Sequence, residues 1–343
     1  MYFLPYENTV GADFWIYKGW QNGCDKMGIE FKLLLSKHDF YDSVNSYKPD
    51  ILFIYSKFGF RGNELKKKIK SLNKLLKKKI KIFLAVDWFP KDHSESTSFE
   101  DINIFKNEEI CNFYFGEREE ESMDEFKKHT NREYIKIPNC ADSSFHFPTK
   151  KVNKFSYDIV FLGAKLPKKK YFIEEILLPL KEKYNVGIFG PYWTITDNIK
   201  RGLAKISRKL QFEKINEIIN KSRISIKYED ENKLYSSSKI CLNYHEKENY
   251  NFHYHKILNQ RAFKIPACGG FQMIDKLDYL DRYYNDDEVI SCVDKNDWFE
   301  KIDYYINNTE LRNQIIKKAK DKTYKKHLYE NRILQILKLS NKY

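Results

Sequence analysis

Short apolar runs alternate with longer amphipathic stretches along the whole chain, and this alternation limits the folds that are open to it. The runs at 51–55 and 80–86 are rich in isoleucine, leucine and phenylalanine, as expected for buried parallel strands. Between them, leucine and isoleucine recur at helical spacing while lysines fill the gaps. Strands separated by helical stretches of about ten residues or more indicate βαβ units and doubly wound sheets. The predicted strands are 51–55, 80–86, 112–115, 134–137, 157–163, 186–190, 225–228, 240–243 and 271–274.

A break in this pattern at 138–148 divides the chain into two predicted domains. At 343 residues the chain is long enough for two ordinary hydrophobic cores. The stretch 149–155 is basic and polar, so the predicted linker lies there and in the break before it. A last helix is predicted over 311–339, with an interruption near Lys322 and Thr323. The predicted domains are 1–150, 151–325 and a C-terminal segment, 326–343.

The chain is basic, with 61 Lys and Arg against 48 Asp and Glu and a formal charge of +13. Nucleic acid, an anionic membrane surface and a phosphorylated small molecule all fit such a charge. Its six cysteines lack the paired spacing of a zinc site or a disulfide framework. The sequence shows neither an N-terminal signal nor an apolar run of membrane-spanning length. These features predict a cytoplasmic protein with reduced thiols.

Two lysine runs, 66–68 and 77–79, flank the helix predicted between the first two strands. Lysines that fill the gaps of an amphipathic helix are typical of its solvated face. The alternative that they contact an anionic membrane surface or nucleic acid stays open at this stage.

The stretch 259–271 has the composition needed where a helix begins beside a diphosphate. Arg261 and Lys264 lie one helical turn apart, and Arg offers a planar fork that matches phosphate oxygens. Small residues and the pair Gly269-Gly270 follow, which would let the backbone approach a ligand closely. The same two glycines also fit a simple C-terminal stop of the helix. Helix, glycines and strand in this order favour a nucleotide pocket at the carboxyl edge of an α/β sheet.

A set of motifs spans the second half of the chain: 235–245 (YSSSKICLNYH), 259–263 (NQRAF), 267–272 (ACGGFQ), Tyr324, His327 and Arg332. On these residues the region 235–332 resembles the C-terminal half of the CgeB-like (spore maturation protein-like) family of GT-B glycosyltransferases. This chain departs from that family at Lys264, where the family usually has a Glu that holds the nucleotide ribose hydroxyls. Because Lys can only donate hydrogen bonds, the departure predicts either a different donor contact or a silent site.

The resemblance implies a GT-B fold, in which two Rossmann-like, doubly wound domains face each other across a cleft. It implies a nucleotide-sugar donor in the C-terminal domain, with a UDP-sugar favoured, and an acceptor in the N-terminal domain. No metal or other cofactor is implied. The acceptor stays open between a glycan, a protein, a lipid-linked molecule and nucleic acid. The C-terminal helix of this family crosses back to the first domain, and 329–339 is the candidate.

Arg261 and Lys264 are the residues expected to stabilise the departing diphosphate. Asp87 follows a predicted strand, where a carboxylate can serve as general base toward an acceptor hydroxyl, although it can equally cap the next loop. Its segment also resembles the catalytic Asp region of inverting phage DNA glucosyltransferases. Asp13 and His93 are the alternatives on the acceptor side. The predicted donor-binding residues are Gly163, Lys168, Lys169, Ile226, Tyr228, Asn243, Arg261, Gly269, Gly270 and Phe271.

Three histidines, His245, His253 and His255, cluster within the second half. No carboxylate or cysteine completes a metal-ligand set at the right spacing, so surface or acceptor-facing histidines are predicted instead. Two other functions stay open. A silent GT-B protein would bind a nucleotide or a partner without turnover, and a DNA-modifying glycosyltransferase would use the basic charge.

Overall fold

The computed structural model describes residues 1–4, 12–34, 39–55, 60–86, 99–222, 225–245 and 256–341. The chain folds into two compact units. The first comprises Met1–Asn139, Asn251–Leu258 and Tyr329–Tyr343, and the second comprises Cys140–Tyr250 and Asn259–Leu328. Asp87 and His93 lie outside the described residues, as does the side chain of Asp13, so their predicted roles stay predictions.

The first unit holds a parallel sheet. Its described strands are β1 (Tyr2–Leu4), β2 (Lys32–Leu33), β3 (Ile51–Ile54), β4 (Lys81–Ala85), β5 (Phe113–Gly116) and β6 (Tyr134–Lys136). They lie in the order β2-β1-β3-β4-β5-β6, with every described pairing parallel. The helices between them are α1 (Ala12–Lys26), α2 (Phe40–Tyr47), α3 (Gly62–Lys77), α4 (Phe99–Asn107) and α5 (Asp124–Thr130).

The apolar runs of the sequence become the central strands of this sheet, as predicted. All four residues of β3 are buried, because a parallel strand is covered on both faces. The α3 helix buries Leu65, Leu72 and Leu75 and turns its lysines outward, so the lysine runs form its solvated face. Before β6, a 3-10 turn, Glu120–Met123, leads into the short helix α5.

The second unit holds another parallel sheet, with described strands β7 (Ile159–Leu162), β8 (Val186–Phe189), β9 (Ile240–Asn243), β10 (Gln272–Asp275) and β11 (Ile290–Cys292). Their order is β11-β10-β9-β7-β8. Its helices are α6 (Ile195–Lys209), α7 (Glu213–Lys221), α8 (Glu231–Ser237), α9 (Arg261–Ala267), α10 (Lys295–Asn307) and α11 (Thr309–Lys326). The stretch after β7 has a π-helical segment, Phe172–Leu177, and a 3-10 turn, Pro179–Glu182.

The strand predicted at 225–228 is wrong. Residues 225 and 226 form bends, and a 3-10 turn, Tyr228–Asp230, leads into α8. The segment reaches the residue that follows the edge strand β8 through a side chain and not through a backbone ladder. The segment caps the sheet edge instead, because the Ser225 Oγ accepts a hydrogen bond from the Gly190 N–H at 2.7 Å.

The last predicted helix is two helices, α11 and α12 (Tyr329–Ser340). The break falls at His327 and Leu328, five residues beyond the predicted position, because the chain pairs there with Ala141. The Ala141 N–H donates to the His327 carbonyl at 2.9 Å. The α12 helix belongs to the first unit, where the Arg332 Nε donates to the Pro138 carbonyl at 2.9 Å.

All six cysteines are free thiols, and Cys111 is half-buried while the others are buried. Burial raises the pKa of the Cys24 thiol to about 12. Within the described ranges no helix is long and apolar enough to cross a membrane.

Candidate functional site in the second unit

The second sheet has a topological switch point at β7. The chain runs from β7 to β8 on one side, and β9 then pairs with β7 on the other side. Open α/β sheets bind ligands in the crevice outside the carboxyl ends of the strands at such a point. A ligand-binding site is therefore expected at the carboxyl ends of β7 and β9.

Arg261, the first residue of α9, lies at this point. Its Nη1 donates to the Leu162 carbonyl at 2.6 Å and its Nη2 donates to the Tyr244 carbonyl at 3.1 Å, so the guanidinium bridges the ends of both strands. It also lies 5.5 Å from the centroid of the Phe161 ring. A Cβ atom at Gly163 would come within 2.3 Å of Nη1. Glycine at that position is therefore what allows the Arg261 fork to sit there.

A hydrogen-bond chain fixes the start of α9. The Asn259 Nδ2 donates to the Asn243 Oδ1 at 2.9 Å, and the Asn259 backbone N–H donates to the His245 Nε2 at 3.1 Å. The other ring nitrogen, Nδ1, lies 2.9 Å from Asp275 Oδ1. Because Nε2 accepts, the ring donates from Nδ1 to the carboxylate. His245 is thus a buried positioning residue, so the prediction of a surface histidine is wrong for it, while an acceptor-facing role stays a prediction. His253 and His255 lie outside the described residues.

Lys264 forms a buried ion pair with Glu231. Its Nζ lies 3.3 Å from Glu231 Oε1, and each side chain is 5% exposed. Glu231 is the first residue of α8, so the start of that helix supplies the carboxylate. Burial lowers the pKa of Lys264, and the Glu231 carboxylate partly offsets this. The ammonium predicted to face a diphosphate therefore has a carboxylate partner inside the unit.

Two further groups surround this pair. His146 is fully buried, its Nδ1 accepts from the Asp142 N–H at 3.0 Å, and burial together with the Lys264 charge lowers its pKa well below the usual value. The pKa of Tyr235 is raised well above its usual value by burial and by the Glu231 carboxylate. Its hydroxyl has no hydrogen-bond partner among the residues that the structure describes. The surroundings of the pair are therefore rich in buried polar groups.

A comparison with protein families finds that residues 168–338 match the family described as "Glycosyl transferase-like". Arg261, Lys264 and Glu231 lie inside this match, whereas Leu162 and Gly163 precede it. That part of the chain is similar to a glycosyl transferase-like family. The resemblance to the CgeB-like group within it stays an expectation. A search of curated proteins gives no significant match.

Several solved structures have a similar fold. Sucrose-phosphate synthase from Thermosynechococcus elongatus has a TM-score of 0.62 at 9% identity, with 99% of this chain and 98% of that chain covered. HepE from Anabaena in complex with UDP and glucose has a TM-score of 0.59 at 10% identity, with 98% of both chains covered. A glycosyltransferase from Rickettsia africae has a TM-score of 0.55 at 11% identity, with 99% and 89% covered. The likeness confirms the predicted GT-B fold with two Rossmann-like domains.

The structure brings some of the predicted donor-binding residues together and separates others. Gly163 and Asn243 contact the Arg261 cluster directly or through Asn259. Lys168 is exposed in the turn after β7, whereas Lys169 is buried. Ile226 packs against a small apolar cluster, and Tyr228 begins the 3-10 turn before α8. The donor roles of these residues stay predictions.

The glycine pair lies away from Arg261, which contradicts the prediction that it approaches the same diphosphate. Because α9 starts at the carboxyl edge of the sheet, it ends at the opposite edge, where β10 begins. Gly269 has a φ of +69° and takes the left-handed conformation that ends helices. A Cβ at Gly270 would meet Ile265 at 2.9 Å, and Phe271 is fully buried. These three residues form the helix stop and core.

Sequence reasoning missed Glu231, Asn259 as a positioning residue, His146 and Asp275. A signal existed for Asp275, which ends a predicted strand as an acidic residue. Glu231 carried no such signal, since the stretch before it has the pattern of a strand. In the first unit, Glu117 directly follows β5, where the Tyr55 hydroxyl and, at 3.2 Å, the Asn139 Nδ2 donate to its carboxylate. Glu117 therefore places a carboxylate at the carboxyl end of β5.

Among the described residues, no group of three or more His, Cys, Asp and Glu side chains is arranged to hold a metal ion.

Proposed function

We propose that the protein transfers a sugar from a nucleotide-sugar, with a UDP-sugar favoured, to a hydroxyl acceptor. The observation that carries the proposal is the Arg261 fork, held at the switch point of the second sheet by two carbonyls and admitted by Gly163. This arrangement lies at the edge where α/β sheets bind nucleotides, largely within the glycosyl transferase-like match. A fixed planar cation at that place suits a diphosphate.

In the proposed reaction, the acceptor oxygen attacks the anomeric carbon and the bond from that carbon to the diphosphate oxygen breaks. Negative charge grows on the diphosphate, and Arg261 stabilises it from a position that needs no rearrangement. The acceptor hydroxyl loses its proton to a base, for which Asp87 is proposed from the sequence. The choice of UDP is supported by HepE, whose structures hold UDP and UDP-glucose.

A donor-hydrolysis screen tests the proposal. The full chain is incubated with UDP-, GDP-, ADP- and TDP-sugars, and release of the nucleoside diphosphate is measured. We expect release from at least one UDP-sugar and its loss in Arg261→Ala. Arg201→Ala is the matched control, since that exposed arginine lies on α6, and it should hydrolyse at the parent rate. Release that persists unchanged in Arg261→Ala would contradict the proposed site.

A second candidate function is nucleotide binding without turnover. The observation that favours it is the Lys264–Glu231 pair, which satisfies the ammonium internally. Lys264→Glu alone would place two carboxylates in contact, so the informative variant swaps the pair, Glu231→Lys with Lys264→Glu. If the site is silent, the swap restores the usual family residue at 264, and titration calorimetry should show UDP binding at least as tight as in the parent. If the parent turns over a donor and the swap abolishes turnover, the active function holds.

The acceptor needs a separate experiment. A panel of duplex DNA, oligosaccharides, peptides and lipid-linked glycans is offered together with the donor that the screen identifies. Transfer to duplex DNA would favour the DNA-modifying alternative, to which the net charge of +13 lends support.

A further inference from the structure

The helical hairpin formed by α6 and α7 exposes its large apolar side chains. Of the fourteen large hydrophobic side chains that are exposed in the described part of the chain, eight lie between 195 and 218, and each is at least half exposed. Scattered exposed apolar residues are normal on a protein surface, but a contiguous set marks an interaction site. These eight are Ile195, Ile199, Leu203, Ile206, Leu210, Phe212, Ile215 and Ile218.

On α6 these residues form one stripe. The stripe runs from Ile195 to Leu210 with a spacing of three or four residues, so all its members lie on one face of the helix. The opposite arrangement holds on α3, where the leucines are buried and the lysines face solvent. The α6 helix is therefore inverted with respect to an ordinary surface helix.

The inner face of the hairpin is made of small and polar residues. Ala204 and Ser207 are the buried positions of α6 among the side chains described there. The Ser207 Oγ donates to the Phe212 carbonyl at 2.9 Å, and the Asn216 Nδ2 donates to the Ala204 carbonyl at 2.6 Å. The two helices are thus joined without using the apolar stripe, which stays available for a partner.

Basic residues accompany the stripe. Arg201, Lys205 and Lys209 recur every four residues on the adjoining side of α6, and all three are exposed. The hairpin from 195 to 221 contains seven Lys and Arg against three Asp and Glu. A helix with an apolar face, a Lys- and Arg-rich polar face and low overall hydrophobicity is the type that lies in a lipid–water interface.

From this combination we infer that the α6–α7 hairpin docks on an anionic lipid bilayer. The apolar stripe enters the boundary between headgroups and acyl chains, and the basic row contacts the lipid phosphates. A protein partner would need acidic groups beside an apolar groove, whereas an anionic bilayer supplies both features along the whole length of a flat surface. The hairpin begins beside the edge that holds Arg261, since the Trp193 Nε1 donates to the Gly163 carbonyl at 2.7 Å just before α6.

Vesicle sedimentation tests this inference on the full chain. Vesicles of phosphatidylcholine alone are compared with vesicles of equal parts phosphatidylcholine and phosphatidylglycerol, at low and high salt. We expect sedimentation with the anionic vesicles, weakened by salt. Replacing Arg201, Lys205 and Lys209 by Gln should weaken binding about a hundredfold, since each basic residue near such a surface contributes about fivefold. The same change at Lys66, Lys70 and Lys77 of α3 is the matched control and should weaken binding far less.

A second variant tests the apolar stripe. Ile199→Ser, Leu203→Ser and Ile206→Ser together should abolish sedimentation, while Val293→Ser and Tyr304→Ser, which alter exposed apolar residues elsewhere, should not. Because the three stripe residues are already exposed, their replacement should leave the thermal unfolding midpoint unchanged. If the parent protein does not sediment with anionic vesicles, the inference is overturned. A concentration-dependent dimer that the stripe variant dissolves in the absence of any vesicle binding would also overturn it, because the stripe would then be a contact between copies.

Discussion

Replacing Glu231 by Gln removes the carboxylate from the buried pair while keeping its shape. The Lys264 ammonium would then stay inside the second unit without the partner that lies 3.3 Å away. A buried cation in that position either remains charged at a desolvation cost or gives up its proton. Both outcomes destabilise the folded state.

The size of the loss in unfolding free energy can be worked out for the case in which Lys264 gives up its proton. Lys264 has an ordinary pKa of 10.5, and holding such a group neutral at pH 7 costs about 1.4 kcal/mol for each pH unit, or about 5 kcal/mol as a ceiling. Breaking a buried ion pair by removing one partner typically costs about 3–5 kcal/mol. Since whole domains are stable by only about 5–15 kcal/mol, the variant should be visibly weakened.

The loss should depend on pH in a defined direction. The pKa of Lys264 is already lowered by burial, and removal of the carboxylate lowers it further. Between that lowered pKa and 10.5 the unfolded chain binds more protons than the folded one, so stability rises with pH in this window. Urea unfolding followed by circular dichroism at several pH values from neutral to alkaline should show the variant regaining part of its deficit.

Two controls distinguish the loss of the buried charge partner from a general packing defect. Glu231→Gln combined with Lys264→Met removes both charges, so it should recover most of the stability and lose the pH trend. Asp287→Asn breaks the closer but exposed pair with Lys318, at 2.6 Å, and should hardly change the unfolding curve. If Glu231→Gln unfolds like the parent at neutral pH, or if the double variant is no more stable than the single one, the buried pair does not act as described.

Three further predictions concern the proposed reaction. Arg261→Ala should weaken binding of UDP by about 1.5–3 kcal/mol, the value of a charge-assisted hydrogen bond, while uridine binding in titration calorimetry stays the same. Gly163→Ala should lower UDP affinity in the same assay because its Cβ would lie 2.3 Å from the Arg261 Nη1, whereas Gly202→Ala, with nothing within 4 Å, should not. Asp87→Asn should reduce turnover about 10²–10⁴-fold with donor binding retained; near-parent turnover would move the general base elsewhere, for instance to Glu117.

The strands that the sequence predicts well are those buried on both faces. The runs that became β3, β4, β7 and β9 are apolar almost throughout, since nearly all residues of a covered parallel strand are buried. The segment 225–228 alternates polar and apolar residues and looks like an edge strand, yet it forms bends and a turn near the edge strand β8. Local pattern cannot reveal whether a segment joins the edge of a sheet.

The site shows the same division between local and distant information. The residues that follow Arg261 in the sequence predicted that it lies near the start of a helix, and the structure places it at the sheet edge as expected. The partner of Lys264 was not visible, because Glu231 lies 33 residues away in a segment of different predicted structure. The pair Gly269-Gly270 fitted a ligand approach and a helix stop equally well. Only the direction of α9 across the sheet decides between them.

The buried thiols give each unit a built-in reporter of its own opening. Cys24 belongs to the first unit, and Cys241 and Cys268 belong to the second. All three are buried with a raised pKa, so a thiol reagent can modify them only when the surrounding structure opens. Mass spectrometry of labelled peptides would therefore follow the two units separately in a single sample. Bound nucleotide should slow labelling of Cys241 and Cys268 and leave the rate at Cys24 unaltered.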